Sequence, residues 1–572
     1  QDDRLLSMTD ALGHVTSFEY DSMDRVTKIT DALGNATAYT YDALGRVVTA
    51  TNAKGVVTTY TYDALGNRLT ATDAAGTVRY AYDALGRVVS ITDRNGNTQA
   101  FAYDAKGQIV KVTDKNGNET KYTYDGNGNI LKTTDAMGTE VLFQYNANGQ
   151  LVKMTQNRVD GIHEQAETLV TLYEYDGRNL VTKVVRADSE ELYTYDGNGN
   201  MVSKTDGDGY VTEYSYNSLD LVSNINYNDT KEVSYQYNKV GELVKMDDWL
   251  GSTTFEVDLL GRLTKMTDHK GQVVSYEYDA VGNQTSVTYP DETTVTKTYD
   301  ETYNLTKVHD AENKDYLYEY DDAGRVTKLT YPNGWVEDYT YDAEGNLLKT
   351  VDTDPFHNNK VSTKFEYRYD AEGNLISEYK RDTTAGNKAL TTTYQYDALN
   401  RLVSAHEEGV GLNTTRTYDY DTLGNLIRQE EDGCIEYKYN GYALDESTKC
   451  GTIPNSIGTS YWEYTYDGRG NLISNDKYTR TTSGMAWQNE ESFVYDETNH
   501  MVQGKNEAGE YSLYTYNGLG IRVGRELVMK DNTHGYTDFH KETPSVETGL
   551  DKPEVVKESY VIDYTSPTFQ TL

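Results

Sequence analysis

Aromatic and polar residues alternate in short stretches that recur along the chain about every 21 residues. In Thr77-Val-Arg-Tyr-Ala-Tyr82 the two tyrosines share one face of an extended strand, and the side chains between them face the other way. Asp83-Ala-Leu-Gly86 predicts a turn, because Asp bonds the turn backbone and Gly86 adopts positive φ at little cost. Arg87-Val-Val-Ser-Ile-Thr92 is a second strand, and Asp93-Arg-Asn-Gly96 a second turn. Each repeat therefore predicts two antiparallel strands.

The second tyrosine of a repeat, the aspartate after it and the glycine of the turn define the repeat motif, to which we assign a structural role. Its members include Tyr20 and Asp21; Tyr41, Asp42 and Gly45; Tyr62, Asp63 and Gly66; Tyr82, Asp83 and Gly86; Tyr103, Asp104 and Gly107; Tyr124, Asp125 and Gly128; Tyr278, Asp279 and Gly282; Tyr341, Asp342 and Gly345. The series continues to Tyr516, with Val257 in place of one tyrosine. The sequence therefore predicts an all-β protein.

The repeat number determines which all-β architecture is possible. On the order of 46 strands, about 4.8 Å apart, would form a ribbon about 220 Å long if it were flat. Open sheets rarely exceed about ten strands without curling, because strand twist accumulates. A β-propeller would need about eleven blades, and two tight turns per period do not suit a parallel β-helix. We therefore favour a long antiparallel β-hairpin strip that spirals into a hollow, barrel-like shell.

The spacing of the repeats divides the chain into five parts. Residues 1–152 and 173–350 keep the strict period, and residues 153–172 between them are an insertion that predicts a longer hairpin loop. From 351 to 525 the repeats lengthen, and longer surface loops are expected there. Residues 526–572 end the repeats and are expected to lead into a C-terminal core outside this sequence.

Composition limits the partners and suggests one kind of ligand contact. A net charge of −38 repels nucleic acid and anionic lipid, and no apolar run is long enough to span a membrane. The 53 tyrosines against 9 phenylalanines suit a sheet one layer thick, since tyrosine packs along its ring and is hydrated at its hydroxyl. Trp335, Trp462 and Trp487 are the candidate contacts to a ligand or to the interior of a shell.

Motifs for catalysis, cofactors and metals are missing from the sequence. Asp125-Gly-Asn-Gly-Asn129 imitates the start of a calcium loop, but Ile130 replaces the required glycine and Ala136 the final glutamate. The nine histidines are scattered, no Cys-x-x-Cys occurs, and the pairing of Cys434 with Cys450 stays open. We therefore predict no catalytic, cofactor-binding or metal site and no enzyme activity in this chain.

The motif Tyr-x-Tyr-Asp-x-x-Gly-Arg/Asn, followed by Thr-Asp-x-x-Gly, resembles the YD repeat of the Rhs proteins over about residues 1–525. This family includes bacterial wall-associated proteins, insecticidal toxin-complex shell subunits and animal teneurins. The resemblance implies a spiralled hairpin strip that closes into a hollow cocoon. Bacterial members commonly enclose a C-terminal toxin, which an aspartyl autoprotease in the core cuts from the shell. Asp354-Pro355 is the only Asp-Pro here and its surroundings do not match, so no residue takes that role.

These observations predict a wall segment of a secreted or surface-attached bacterial protein that encloses and delivers its own C-terminal effector. The alternative is an adhesin or carbohydrate-binding module whose tyrosine and tryptophan faces hold glycans or a target-cell surface.

Overall fold

The described part of the chain forms one antiparallel sheet of 48 strands, in which each strand pairs with the next strand along the chain. The computed structural model describes residues 4–357, 360–384, 386–431, 433–449, 459–528 and 555–560. Within them β1 and β48 pair on one side only, so the sheet is an open strip, and one short 3₁₀ helix, Pro355–His357, interrupts the strands. The all-β prediction is confirmed.

The strands fall into a first coil, β1 to β23, and a second coil, β24 to β46, followed by β47 and β48. The first coil comprises β1 Ser7–Thr9, β2 Val15–Tyr20, β3 Val26–Thr30, β4 Ala36–Tyr41, β5 Val47–Thr51, β6 Val57–Tyr62, β7 Arg68–Thr72, β8 Thr77–Tyr82, β9 Val88–Thr92, β10 Thr98–Tyr103, β11 Ile109–Thr113, β12 Glu119–Tyr124, β13 Ile130–Thr134, β14 Glu140–Tyr145, β15 Leu151–Asp160, β16 Gln165–Tyr175, β17 Val181–Val185, β18 Glu190–Tyr195, β19 Met201–Thr205, β20 Val211–Tyr216, β21 Val222–Tyr227, β22 Lys231–Tyr237 and β23 Leu243–Asp248. The remaining strands are β24 Gly251–Val257, β25 Leu263–Thr267, β26 Val273–Tyr278, β27 Gln284–Thr288, β28 Thr294–Tyr299, β29 Leu305–His309, β30 Asp315–Tyr320, β31 Val326–Thr330, β32 Val336–Tyr341, β33 Leu347–Asp354, β34 Lys360–Tyr369, β35 Leu375–Asp382, β36 Lys388–Tyr396, β37 Leu402–Gly409, β38 Leu412–Tyr420, β39 Leu426–Glu430, β40 Cys434–Asn440, β41 Ala443–Lys449, β42 Ser460–Tyr466, β43 Leu472–Thr481, β44 Gly484–Tyr495, β45 Met501–Lys505, β46 Tyr511–Tyr516, β47 Arg522–Val528 and β48 Val555–Ser559.

The turn that follows each even-numbered strand is here called a Tyr-Asp turn, and in most copies it is built by the aspartate of the motif; Asn146, Asn217, Asn238 and Asn517 take its place in others. At Asp63, Oδ1 accepts the backbone N–H groups of Leu65 and Asn67, each at 2.9 Å. The Gly66 N–H donates to the Asp63 carbonyl, and Gly66 itself has a φ of +93°. This is a type I turn closed by a left-handed glycine, which explains why Asp and Gly recur at these two positions.

A β-bulge precedes each Tyr-Asp turn and supplies curvature. The register shifts between Thr61 and Tyr62, so that Tyr62 pairs with Arg68 and one residue is left without a partner across the ladder. The same shift occurs at Tyr103, Tyr278 and Tyr516. Since a bulge bends its strand and increases the local twist, one bulge per hairpin in the same place coils the strip.

Contacts between the two coils recur at a separation of 23 strands. Lys54, after β5, contacts Asp300, after β28, so the 23 strands β6 to β28 complete one coil. Arg94, after β9, contacts Glu344, after β32, which are again separated by 23 strands, β10 to β32. At about 4.8 Å per strand, one coil has a perimeter of about 110 Å, or a diameter of about 35 Å for a round cross-section.

The wall is one sheet thick, and its surface area shows this. The chain exposes 32318 Å², whereas a compact protein of 64.5 kDa exposes about 20,000 Å². On many even-numbered strands the tyrosine face is half-buried and the opposite face is exposed, as in the alternating β6, whereas odd-numbered strands such as β5 are half-buried throughout. A buried apolar cluster lies on β22 to β27.

The insertions lengthen strands more than they lengthen loops. Residues 153–172, expected to be a hairpin loop, lie in β15 and β16, and only 161–164 form the turn. The lengthened repeats after residue 351 behave in the same way, as in β43 with 10 residues and β44 with 12. Backbone groups in a long loop would lack partners, whereas a longer hairpin pairs them with each other. Beyond residue 525, β47 and β48 continue the sheet.

Candidate functional site: the seam between the coils

The function of a coiled strip depends on how its edges meet. The strip has two edges: one carries the Tyr-Asp turns, and the other carries the turns after odd-numbered strands, here called Thr-Asp turns. Because 23 is an odd number, a Thr-Asp turn of the first coil meets a Tyr-Asp turn of the second coil. We call this line of contact the seam.

Near the start of the seam, polar groups join the two coils directly. The backbone N–H of Arg94 donates to Glu344 Oε1 at 2.6 Å, and Asn95 donates to Asp342 Oδ2 at 2.8 Å. The Arg94 guanidinium also bonds Asp73, and this hydrogen bond holds the pKa of the Asp73 carboxyl below its ordinary value. Arg94 therefore connects two turns of the first coil to one turn of the second.

A lysine and an asparagine provide further contacts on the same line. Lys54 Nζ lies 2.5 Å from Asp300 Oδ2, and Asn116 donates to Asp370 Oδ2 at 2.9 Å. Burial alone would raise the pKa of Asp300, but hydrogen bonds from Lys54 and the turn backbone hold it far below its ordinary value. Asp300 is therefore ionised, and its charge is paired across the seam.

Arg158 makes the most buried of these contacts. Its side chain is 4% exposed and donates to the Gly441 carbonyl at 2.8 Å and the Tyr439 carbonyl at 2.7 Å, while also contacting Glu167. Arg158 lies on the lengthened strand β15, so the insertion carries this cation from the first coil into the second. The fixed fork of a guanidinium suits two carbonyls at once.

Two glycines face each other at a close approach of the two backbones. A Cβ atom at Gly207 would lie 1.7 Å from the Gly468 carbonyl oxygen, and one at Gly468 would lie 2.3 Å from the Gly207 oxygen. Beside them the buried Arg469 guanidinium lies 2.9 Å from Asp208 and 4.8 Å from the Tyr210 ring. Only glycine fits at both positions.

The end of the seam contains the tryptophan that the sequence analysis did not select. Trp249 Nε1 donates to the Tyr516 carbonyl at 3.0 Å, and Lys231 lies 4.9 Å from the Trp249 ring. Lys231 also pairs with Asp496 of the second coil. The signal was the Asp248-Trp-Leu-Gly251 turn, in which a bulky aromatic residue occupies a position that is small or polar in most other repeats.

Within each coil, neighbouring Tyr-Asp turns are joined by the arginine that follows the glycine. Arg46 Nε bonds Asp42 at 2.7 Å, its Nη1 donates to the Asp63 carbonyl at 3.0 Å, and the guanidinium lies 4.7 Å from the Tyr62 ring. The same set of contacts recurs at Arg25, Arg87, Arg262, Arg325 and Arg401. Where asparagine replaces arginine, it keeps the bond to the aspartate, as at Asn67, and at Asn200 and Asn374 it also donates to a side chain of the next Tyr-Asp turn.

The motif tyrosines join repeats through their hydroxyl groups. Tyr62 donates to the Val47 carbonyl at 2.8 Å, one repeat back along the strip. The same bond is made by Tyr20, Tyr41, Tyr82, Tyr103, Tyr124 and Tyr278. The predicted motif residues thus occupy one repeated structural unit, spread along the strip.

The three selected tryptophans do not come together. Trp335 is half-buried in the turn before β32, and Trp462 is half-buried on β42 with Lys477 5.3 Å from its ring. Trp487 is 61% exposed on β44. It pairs across the strands with Tyr478, which in turn stacks on Tyr461 at 5.3 Å.

The described residues offer little other chemistry. The part of the chain that the structure describes contains no cluster of three or more His, Cys, Asp or Glu able to hold a metal ion. No helix among those residues is long and apolar enough to cross a membrane. Cys434 is disulfide-bonded; the other cysteine in the sequence, Cys450, lies outside the described residues.

Two family models match the chain. RHS Repeat matches residues 1–36, 24–57, 41–78, 67–98, 82–120, 103–136, 278–314 and 320–355. Teneurin YD-shell matches residues 139–293 and 356–540, more than half of the chain. No curated protein matches the sequence.

Among solved structures, the chain is similar to TcdB2-TccC3 without its hypervariable C-terminal region, with 14% identity, a TM-score of 0.47, 89% of this chain covered and 32% of that chain. It is also similar to the Photorhabdus luminescens Tc holotoxin pore, with 14% identity, a TM-score of 0.44, 89% of this chain covered and 30% of that chain. The chain thus spans about a third of the length of these structures. The matches of both family models, together with the coiled strip of Tyr-Asp hairpins, show that the chain belongs to the teneurin YD-shell family of Rhs-repeat proteins.

Proposed function

We propose that this chain is a wall segment of a hollow shell that encloses and carries a C-terminal effector of a secreted bacterial protein. The observation that carries the proposal is the seam, in which turns 23 strands apart are joined by ion pairs and hydrogen bonds. A strip joined edge to edge in this way makes a continuous wall around a space. The wall has little buried core, which suits a container better than a compact domain.

The two faces of the wall differ in a way that supports an enclosed space on the tyrosine side. Leucines on the opposite face, such as Leu142, Leu192 and Leu317, remain 39–44% exposed although they lie within strands. Tyrosines in the same strands, such as Tyr193 and Tyr318, are half-buried. Side chains crowd together on the concave face of a curved sheet and spread apart on the convex face, so the tyrosine face is assigned to the inside.

Mass spectrometry of the full-length parent protein, expressed to its natural stop codon, tests the proposal. Denaturing mass spectrometry is expected to show a C-terminal fragment cut from the shell, and native mass spectrometry to show that the fragment stays bound. A single uncut chain with no domain after the repeats would contradict an enclosed effector.

A second candidate function is supported by the aromatic group Tyr461, Tyr478 and Trp487. These residues lie side by side on three neighbouring strands, on the face opposite the tyrosine ladder. Their rings, with Trp487 largely exposed, form a surface on which the apolar face of a sugar ring could stack. Glycan-array binding that is lost in Trp487→Ala and kept in Trp335→Ala is expected of an adhesin, and no binding to any glycan would remove this function.

A further inference from the structure

Asparagine followed by glycine recurs in the turns of the strip, and two such pairs take part in the seam. They are Asn95-Gly96 and Asn116-Gly117, each in a Thr-Asp turn of the first coil. This dipeptide is the one most prone to spontaneous deamidation, because glycine has no side chain to hinder the attack of its nitrogen on the asparagine side-chain carbonyl. Both asparagines and both glycines are exposed, so water reaches them.

The seam holds the side-chain amides of both asparagines. Asn95 Nδ2 donates to Asp342 Oδ2 at 2.8 Å, and Asn116 Nδ2 donates to Asp370 Oδ2 at 2.9 Å. Burial alone would raise the pKa of each aspartate, but hydrogen bonds, including those from the two seam asparagines, hold it below its ordinary value. Each amide therefore donates to an ionised carboxylate of the second coil.

Deamidation turns this attraction into a repulsion. The Gly96 nitrogen attacks the Asn95 side-chain carbonyl carbon, ammonia leaves, and water opens the resulting succinimide to aspartate or isoaspartate. The donor amide is thereby replaced by a carboxylate that faces Asp342, and two carboxylates at hydrogen-bond distance repel each other. The nearby Arg94 guanidinium is already paired with two carboxylates of its own.

We propose that Asn95-Gly96 and Asn116-Gly117 are sites of spontaneous deamidation at which the start of the seam is permanently unfastened. While the seam is closed, its hydrogen bonds hold each amide and slow the reaction. A local opening frees the amide, and once it has reacted the turn no longer binds across the seam. The inference concerns the wall itself and holds whether or not the shell encloses an effector.

The rim of the first coil offers matched turns for comparison. Asn127-Gly128 and Asn148-Gly149 occupy the same position of their turns, with glycine φ angles of +96° and +79°, against +91° in both seam turns. In all four turns the glycine N–H donates to the carbonyl of the first turn residue. The amides of Asn127 and Asn148 make no hydrogen bond to any residue that the structure describes. The two pairs of turns therefore differ chiefly in what holds the amide.

Ageing of the unaltered protein in mildly alkaline buffer, followed by peptide mass spectrometry, measures the reaction. Asn127 and Asn148 are expected to deamidate about tenfold faster than Asn95 and Asn116, because the seam amides must first give up a hydrogen bond to a charged group. Unfolding in urea should make the four rates similar. The inference is wrong if the seam asparagines react as fast as the rim asparagines in the folded protein, or show no conversion after the rim asparagines have reacted in full.

Substitution measures the consequence for the seam. The double variant Asn95→Asp, Asn116→Asp installs the product of deamidation at both sites. Hydrogen exchange of the Arg94 and Lys115 backbone N–H groups, which donate across the seam, should rise about tenfold or more in this variant, because a hydrogen bond to a charged group is lost at each site.

The matched control adds the same two charges at the rim. In the double variant Asn127→Asp, Asn148→Asp the exchange of the Arg94 and Lys115 N–H groups should stay as it is in the unaltered protein. Equal exchange in the two double variants would overturn the inference, since the seam would then tolerate the deamidated product.

Discussion

The same Tyr-Asp turn is used in two settings, at the free rim of the first coil and in the seam of the second. At the rim, the residue before the glycine is apolar and exposed: Leu44 is 74% exposed and Leu65 is 78% exposed. In the seam, the equivalent residues are Glu344 and Glu372, which are half-buried and accept the backbone N–H groups of Arg94 and Lys115. The turn backbone and its aspartate are the same in both.

The comparison separates two roles within one short motif. Aspartate and glycine satisfy the backbone of the turn and are needed wherever the chain reverses. The residue between them touches whatever lies across the edge, and so it differs between rim and seam. This distinction between the two roles can be tested by paired substitutions, one at a seam residue and one at its counterpart on the rim or surface.

The largest effect is expected at Arg158. Arg158→Ala removes a buried cation from two carbonyl groups and Glu167, and it should destabilise the local contact by about 3 kcal/mol. The measurement is native-state hydrogen exchange of β15 and β40. Arg416→Ala is the control, since this partly exposed arginine pairs with Glu431 within one coil and should change stability by less than about 1 kcal/mol. Equal effects of the two substitutions would contradict the seam.

A second comparison uses glycines at the same position of two turns. Gly207→Ala forces a methyl group into the Gly468 backbone and should cost about 1–3 kcal/mol, because a tightly packed site cannot accept extra volume. At Gly197, in a rim turn, an added Cβ meets nothing within 4 Å, so Gly197→Ala should be nearly neutral. Thermal unfolding of both variants is the measurement. A harmless Gly207→Ala would mean that the two coils are not in contact there.

A smaller effect is expected from the contacts between neighbouring turns. Arg262 bonds Asp258 at 2.7 Å and the Asp279 carbonyl at 3.1 Å, so Arg262→Ala should cost about 1 kcal/mol. Arg262→Asn should recover part of the loss, because Asn283 makes the same bond to its own aspartate in the next repeat. Chemical denaturation should place the unaltered protein first in stability, Arg262→Asn second and Arg262→Ala third. Identical stabilities of the two variants would contradict this order.

The smallest effect is a weakening of the seam by acid. Burial lowers the pKa of His500 below 6.5, so the neutral ring contributes stability that is full above pH 6.5 and declines as the pH falls below it. Burial would raise the pKa of Asp496, but bonds from Lys231 and Thr498 hold it below 3.8, so its contribution is lost only below pH 3.8.

Hydrogen exchange of β45 and β46, corrected for the intrinsic effect of pH, should therefore rise in two steps. His500→Gln should remove the first step and leave the second. If the first step persists in this variant, a group other than His500 causes it.

The sequence predicted what is local to a repeat. Asp63 and Gly66 form a turn because their own backbone bonds and φ preference require it, and the same residues predict the same turn at every copy. The coiling of the strip could also be predicted from the number of repeats, since a sheet of so many strands cannot remain flat. The number of strands per coil could not be predicted, because it depends on the sum of small bends at successive bulges.

That number decides which residues meet, so the seam could not be predicted. Trp249 was passed over, and Gly207 and Gly468 resemble any other turn glycine until their backbones are seen together. The change from leucine at 44 and 65 to glutamate at 344 and 372 was visible in the sequence and is the signal that could have located the seam. The strand pairing within 153–172 was missed because a polar insertion has no clear alternation.

Zero-length cross-linking of the unaltered protein tests the 23-strand coil most directly. A carbodiimide joins a lysine to a carboxylate only where the two groups touch, and Lys54 and Asp300 lie 2.5 Å apart although 246 residues separate them. The coil predicts linked peptides containing Lys54 with Asp300 and Lys231 with Asp496. Linked peptides only from the same hairpin or from adjacent repeats would contradict it, and would leave a curved strip whose edges do not meet.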